Sequence, residues 1–196
     1  MTTDVEANPR DRLLGGVIRA VVEKGYAAVT IADIVREAHA SKRTFYEHFA
    51  DKEDCFLTAY RSVSELLLRL ALTAAEGDAP VRERIRVATR AYFQALQDQP
   101  AGTRAMLTEI EGIGESGRRL RREEQRRFAE GLRALVDADR RTRRPATRPL
   151  TAQLALAVVG GINELTLQAV AAGQTENLTA LTEPCSEMLE AILLRP

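Results

Sequence analysis

The sequence predicts an all-α protein, and three observations carry that prediction. Glycine and proline are sparse, 12 and 7 of 196 residues, and they cluster, so they punctuate the chain rather than pervade it. Ala, Leu, Arg and Glu, all good helix formers, dominate, while aromatic residues make up only 5%. No stretch shows the period-2 alternation of a half-buried strand. The Pro and Gly positions divide the chain into about nine helical stretches.

The first helix is expected over 10–24, capped by Asn8, with Pro9 in its first turn and Gly25 ending it. Leu14, Val17, Ile18, Val21 and Val22 form its apolar stripe. A short helix follows over 30–38, where Thr30 and Asp33 have capping-box spacing and Ile31, Ile34, Val35 and Ala38 share a face. After the turn His39-Ala40-Ser41 comes a third helix over 42–49, with Ser41 as its cap. Asp51 caps a fourth, running to about Ala75. The fifth spans 81–97 and the sixth 100–111, opened by Pro100. A glycine-rich loop over 112–117 leads to a basic seventh helix ending near Ala138, and 139–149 reads as an Arg-rich loop. The eighth runs over 151–172 and is closed by Gly173; the ninth covers 176–194, with Pro184 implying a kink or break.

Composition narrows the function classes. With 45% hydrophobic and 29% charged residues, the chain resembles a soluble, well-cored protein rather than a disordered one. It has no uninterrupted apolar run of about 18 residues, which argues against a membrane span, and its N-terminus lacks the apolar stretch of a secretory signal. Two cysteines outside any C-x-x-C pair fit a reducing cytoplasm, so the Asn177-Leu178-Thr179 sequon is expected to stay idle. Lys and Arg total 28 and Asp and Glu 28, so net charge names no acidic partner.

Two helices of about eight residues, joined by a tight turn and preceded by an amphipathic helix, form the pattern of a helix-turn-helix. The third helix carries the chemistry. Phe45 and Phe49, at i and i+4, pack inward, which leaves Lys42, Arg43, Thr44, Tyr46 and His48 pointing largely outward. Such a face offers the cations, hydroxyls and aromatic donor that phosphate and base-edge contacts need.

From Thr30 to Phe56 the sequence, T-I-A-D-I-V-R-E-A-H-A-S-K-R-T-F-Y-E-H-F-A-D-K-E-D-C-F, resembles the DNA-binding head of the TetR-type transcriptional regulators. The T-x-x-x-I-x-x-x-A helix, the T-F-Y-x-H-F core and the following D-K-E carry the resemblance. It implies phosphate contacts from Thr30, Thr44, Tyr46, His48 and Lys52, and base-edge contacts from Lys42 and Arg43, with Arg43 the better bidentate partner for guanine. It also implies a DNA-binding domain over 1–50 and a helical regulatory and dimerisation domain over 51–196. The function implied is a cytoplasmic repressor that binds a palindromic operator in double-stranded DNA as a homodimer and is released by a small ligand. It implies no enzyme activity, cofactor, metal or membrane partner.

Two departures stand out: His39 occupies a turn position that usually carries Gly, and residues 1–54 hold eight Lys/Arg against ten Asp/Glu, a balance of −2.

Outside the head, Phe56, Tyr60, Tyr92, Phe93 and Phe128, with Met106 as an adaptable filler, are the candidates for an apolar or aromatic effector pocket, packed core being the alternative for each. The eighth and ninth helices are the candidate dimer interface, the eighth through Val158, Val159, Ile162, Leu165 and Leu167, with Gly160-Gly161 permitting close approach. A helical scaffold that no longer binds DNA, and a helical-bundle enzyme, are the rival classes.

Other motifs fall away. Residues 112–117 spell G-x-G-x-x-G, but a dinucleotide site needs a strand before it, and 104–111 reads as helix. Ser116 lacks a nucleophile elbow, and no Glu-x-x-His, H-E-x-x-H or Cys/His ligand spacing occurs. Residues 118–148 hold twelve Arg and five Asp/Glu, yet Glu123, Glu124 and Glu130 interleave at helical spacing with Arg126, Arg127 and Arg133, the pattern of a solvated face.

Overall fold

The computed structural model describes residues 8–142 and 147–194. Its elements in order are α1 (Pro9–Lys24), a 3-10 turn (Tyr26–Ala28), α2 (Ile31–Glu37), α3 (Lys42–His48), α4 (Lys52–Ala74), α5 (Val81–Gln97), α6 (Pro100–Gly112), α7 (Glu115–Thr142), α8 (Ala152–Ala171), a 3-10 stretch (Thr175–Leu181) and α9 (Thr182–Leu193). The predicted all-α class holds. Among the described residues the one strand-like feature is an isolated antiparallel bridge between Thr147 and Leu194.

The helix ends follow local chemistry. The Asn8 side chain accepts from the Arg10 amide at 3.1 Å, and Gly25, at φ 74°, ends α1. Asp51 accepts from the Asp54 amide at 2.9 Å at the start of α4. Thr151 accepts from the Leu154 amide at 3.2 Å at the start of α8.

Three stretches differ from the sequence reading. The glycine-rich segment is largely helical: α6 runs through Gly112 and α7 begins at Glu115, leaving Gly114, at φ 103°, to make the turn. Gly117 is buried inside α7, where a Cβ would lie 2.1 Å from the Ile110 carbonyl oxygen. The expected Arg-rich loop starts later, because α7 continues to Thr142. Asp139 in that extension is buried and takes a 2.5 Å ion pair from Arg84. The expected loop positions 143–146 lie outside the described residues. At the C-terminus the break precedes Pro184: the stretch before it is 3-10, with Asn177 at φ −133°, and Pro184 sits in the first turn of α9, where a missing N–H costs nothing.

The chain divides into two compact units, with boundaries inside α4, α6 and α7. The first comprises residues up to Val63 together with Arg104–Leu120. Its core holds Leu13, Val17, Ile34, Phe45, Phe56 and Ile110, each essentially inaccessible. Burying a side chain of this size contributes about 1.5–3 kcal/mol. Helices α1 and α2 approach so closely that a Cβ on Gly16 would meet the Ile34 carbonyl oxygen at 2.8 Å. The second unit comprises Ser64–Thr103 and the residues from Arg121 onward. One of its clusters joins Val136, Leu150, Ala155, Val158, Leu189 and Leu193.

Helix α8, in which Glu164 is the sole charged residue, is long and apolar enough to cross a membrane by length and composition, which corrects the exclusion drawn from uninterrupted apolar runs. The core helix of a soluble protein passes the same test, and Ala155, Val158, Thr166, Ala169 and Val170 are buried within this protein.

Candidate nucleic-acid interface

The interface is built from α2, its turn and α3. Thr30 caps α2 reciprocally: its hydroxyl accepts from the Asp33 amide at 3.3 Å, and the Asp33 carboxylate accepts from the Thr30 amide at 3.0 Å. Asp33 also takes the Lys24 ammonium at 2.6 Å, the Thr30 hydroxyl at 2.7 Å and Arg36 at 2.9 Å. These hydrogen bonds, Lys24 first, hold its carboxyl well below the usual carboxylate range. Thr30 is thus exposed beside a fixed helix start, with its hydroxyl proton directed at Asp33.

The turn closes through the Ala40 amide, which donates to the Val35 carbonyl at 2.9 Å. His39 takes φ 49°, the left-handed conformation a glycine would adopt without cost. Ser41 then caps α3, accepting from the Thr44 amide at 3.0 Å.

Helix α3 is fixed by its apolar side. Phe45 is fully buried and Phe49 nearly so, with ring centroids 5.8 Å apart. The opposite side is open: Lys42, Arg43, Tyr46 and His48 are exposed, and Thr44 is half-buried. Tyr46 stands edge-on to Phe45 at 5.5 Å and is 60% exposed, so its hydroxyl is presented outward from a held ring. The Arg43 side chain is 90% exposed, and its Nε donates to the Glu47 carboxylate at 3.1 Å. That partnership escaped the sequence reading, although Arg and Glu four apart on one helix is a visible signal.

Lys52 is placed differently from the expected phosphate contact. Its ammonium points back into the head, donating to the carbonyls of Val29, Tyr26 and Ala27 at 2.9, 3.0 and 3.3 Å. It also lies 4.6 Å from the centre of the Tyr26 ring. An ammonium has three protons, and three carbonyls take them.

Residues 17–59 match the bacterial regulatory proteins, tetR family. Over 136 residues the chain is 32% identical to the HTH-type transcriptional regulator BetI of Rhizobium meliloti, which covers 66% of this chain and 67% of that protein. The chain belongs to the TetR family. It spans less than half the length of several other curated relatives it matches. Two solved structures share its fold. One is the fatty acid degradation regulator FadR of Bacillus halodurans, with TM-score 0.78 and 17% identity over 94% of this chain and 95% of that one. The other is FadR of Bacillus subtilis in complex with stearoyl-CoA, with TM-score 0.75 and 17% identity over 91% and 96%.

This TetR-family chain is therefore a DNA-binding helix-turn-helix transcriptional regulator. The side chains expected to line its effector pocket come from both units. Phe56, Tyr60 and Met106 are buried in the core of the first unit. Tyr92, Phe93 and Phe128 lie in the second, where Tyr92 packs edge-on to Phe93 at 5.2 Å and to Phe128 at 5.9 Å. A cavity of about 80 Å³ in the second unit is lined by none of the six; its walls include Ile85, Ala88, Leu132, Val136 and Leu189, with the Arg84–Asp139 pair.

Proposed function

We propose that this regulator is a cytoplasmic homodimeric repressor that binds a palindromic operator through α3 and is released by a small ligand with an apolar or aromatic body. The observation that carries the reading is the two-sided α3, anchored by Phe45 and Phe49 and exposing Lys42, Arg43, Tyr46 and His48. Residues 1–50 contact DNA, with Lys42 and Arg43 at base edges and Thr30, Thr44, Tyr46 and His48 at phosphates; residues 51–196 regulate and dimerise. A lone head makes too few base contacts for useful specificity, and two-fold symmetry supplies a second half-site.

The dimer forms on α8. Val158 is buried within its own protomer, so it serves the core rather than a partner. Leu156 is 40% exposed, and Gly160, one turn on, has open space where a side chain would stand. Leu156, Gly160, Asn163 and Leu167 share a stripe that a second α8 can approach closely.

For the effector, the apolar cavity of the second unit and the Tyr92–Phe93–Phe128 cluster are the candidate contacts. The neighbour that holds stearoyl-CoA supports an apolar body for it. Such a ligand shifts the equilibrium only if it binds the DNA-incompetent dimer better than the competent one. Helix α4, separated from α3 by three residues, is the segment through which the change reaches the recognition helices.

The test is a gel shift with DNA upstream of the protein's own gene, followed by titration with stearoyl-CoA and smaller aromatic compounds. The expected result is a salt-sensitive complex on a palindrome that one of these ligands dissolves. A reporter whose output falls when the gene is deleted would reverse the direction from repression to activation.

A further inference from the structure

We propose that Glu47 determines the base preference of the recognition helix by holding Arg43 in one orientation. The proposal rests on the reading of α3 as the DNA-contacting helix. Glu47 accepts only the Nε proton of Arg43, at 3.1 Å, and the two terminal nitrogens have no partner among the described residues. A guanidinium held at Nε presents its terminal nitrogens as a fork, the shape that meets the O6 and N7 atoms of guanine bidentately. An Arg43 without that restraint would swing its long side chain to the nearest phosphate, a contact that carries no sequence information.

Helix stability does not account for the pair. Arg43 is the second residue of α3 and Glu47 the sixth, so the cation sits near the positive end of the helix dipole and the anion near the negative end. That polarity is the less favourable one for an i,i+4 pair. Glu47 is also the sole acid on α3, in a head already short of positive charge, so it weakens every phosphate approach. It therefore lowers affinity for all DNA while directing one arginine to a base. Glu47 acts through Arg43 and is a positioning residue.

The experiment enriches binding sites from a random-sequence duplex pool with five full-length chains: wild type, Glu47→Ala, Glu47→Gln, and Arg43→Ala with and without Glu47→Ala. Circular dichroism melts verify folding, which an exposed position should leave intact. The wild-type chain should prefer guanine at one position of each half-site by about tenfold or more, the discrimination of a good bidentate pair. Glu47→Ala should erase that preference, keep the others, and bind random DNA more tightly. Glu47→Gln, which keeps an acceptor oxygen but no charge, should bind random DNA more tightly yet retain the guanine preference. In the Arg43→Ala background, Glu47→Ala should change no base preference. A Glu47→Ala chain with the wild-type profile, or one whose profile changes equally without Arg43, would overturn the proposal. A wild-type chain that enriches no sequence would instead overturn the reading beneath it.

Discussion

The Lys52 ammonium lies 4.6 Å from the centre of the Tyr26 ring and donates to the Tyr26 carbonyl at 3.0 Å. With Val29 and Ala27 as further acceptors, the start of α4 is clamped to the turn before α2. Lys52→Ala should therefore destabilise the head by roughly 1–3 kcal/mol, the usual worth of hydrogen bonds to a charged group. The salt dependence of DNA binding should stay unchanged, whereas loss of a true phosphate contact reduces the slope by about one. A reduced slope with an unchanged melting temperature would return Lys52 to the phosphate backbone.

His39 tests the turn. A side chain at φ 49° carries a penalty that glycine escapes, partly offset by the greater entropy glycine loses on folding. His39→Gly should be neutral or stabilising by up to roughly 1 kcal/mol, while β-branched His39→Val should destabilise by more than that. Thermal melts ranking Val above Gly would contradict the left-handed turn.

Glycines in apparently similar settings should respond oppositely. Gly16→Ala and Gly117→Ala drive a methyl into backbone at 2.8 and 2.1 Å, and overpacking of this kind costs about 1–3 kcal/mol or more. Gly112, at the end of α6, has nothing within 4 Å, and Gly112→Ala should be neutral or slightly stabilising. Denaturant midpoints of the three variants measure this directly.

Dimerisation through α8 predicts a particle of twice 21.6 kDa by light scattering at micromolar concentration. Leu156→Glu, exposed in the protomer, should leave the helical signal intact and halve the mass. A Leu156→Glu chain that stays dimeric would move the interface elsewhere.

The two thiols should be inert. Burial pushes Cys55 up to about 12, aided by the charge of Asp54, and Cys185 up to about 11. Both folded values exceed the unfolded thiol value of about 8.5, so their contribution to stability is fully present below that pH and is lost as pH rises above it. Ellman's reagent at pH 8 should label neither cysteine in the native chain and both in guanidinium. Rapid native labelling would contradict their burial.

The sequence by itself determined the helices, their caps and the two-sided recognition helix. Those features depend on neighbours within four residues: Thr30 reaches Asp33, Ser41 reaches Thr44, and Phe45 and Phe49 share a face. Local spacing also carries the family signature across 30–56. What only the tertiary structure decided involves partners distant in sequence. Lys52 turned inward because carbonyls some 25 residues away met it, and Asp139 stayed in α7 because Arg84 on α5 holds its carboxylate. Periodicity tells which face of a helix is buried, whereas packing decides against what.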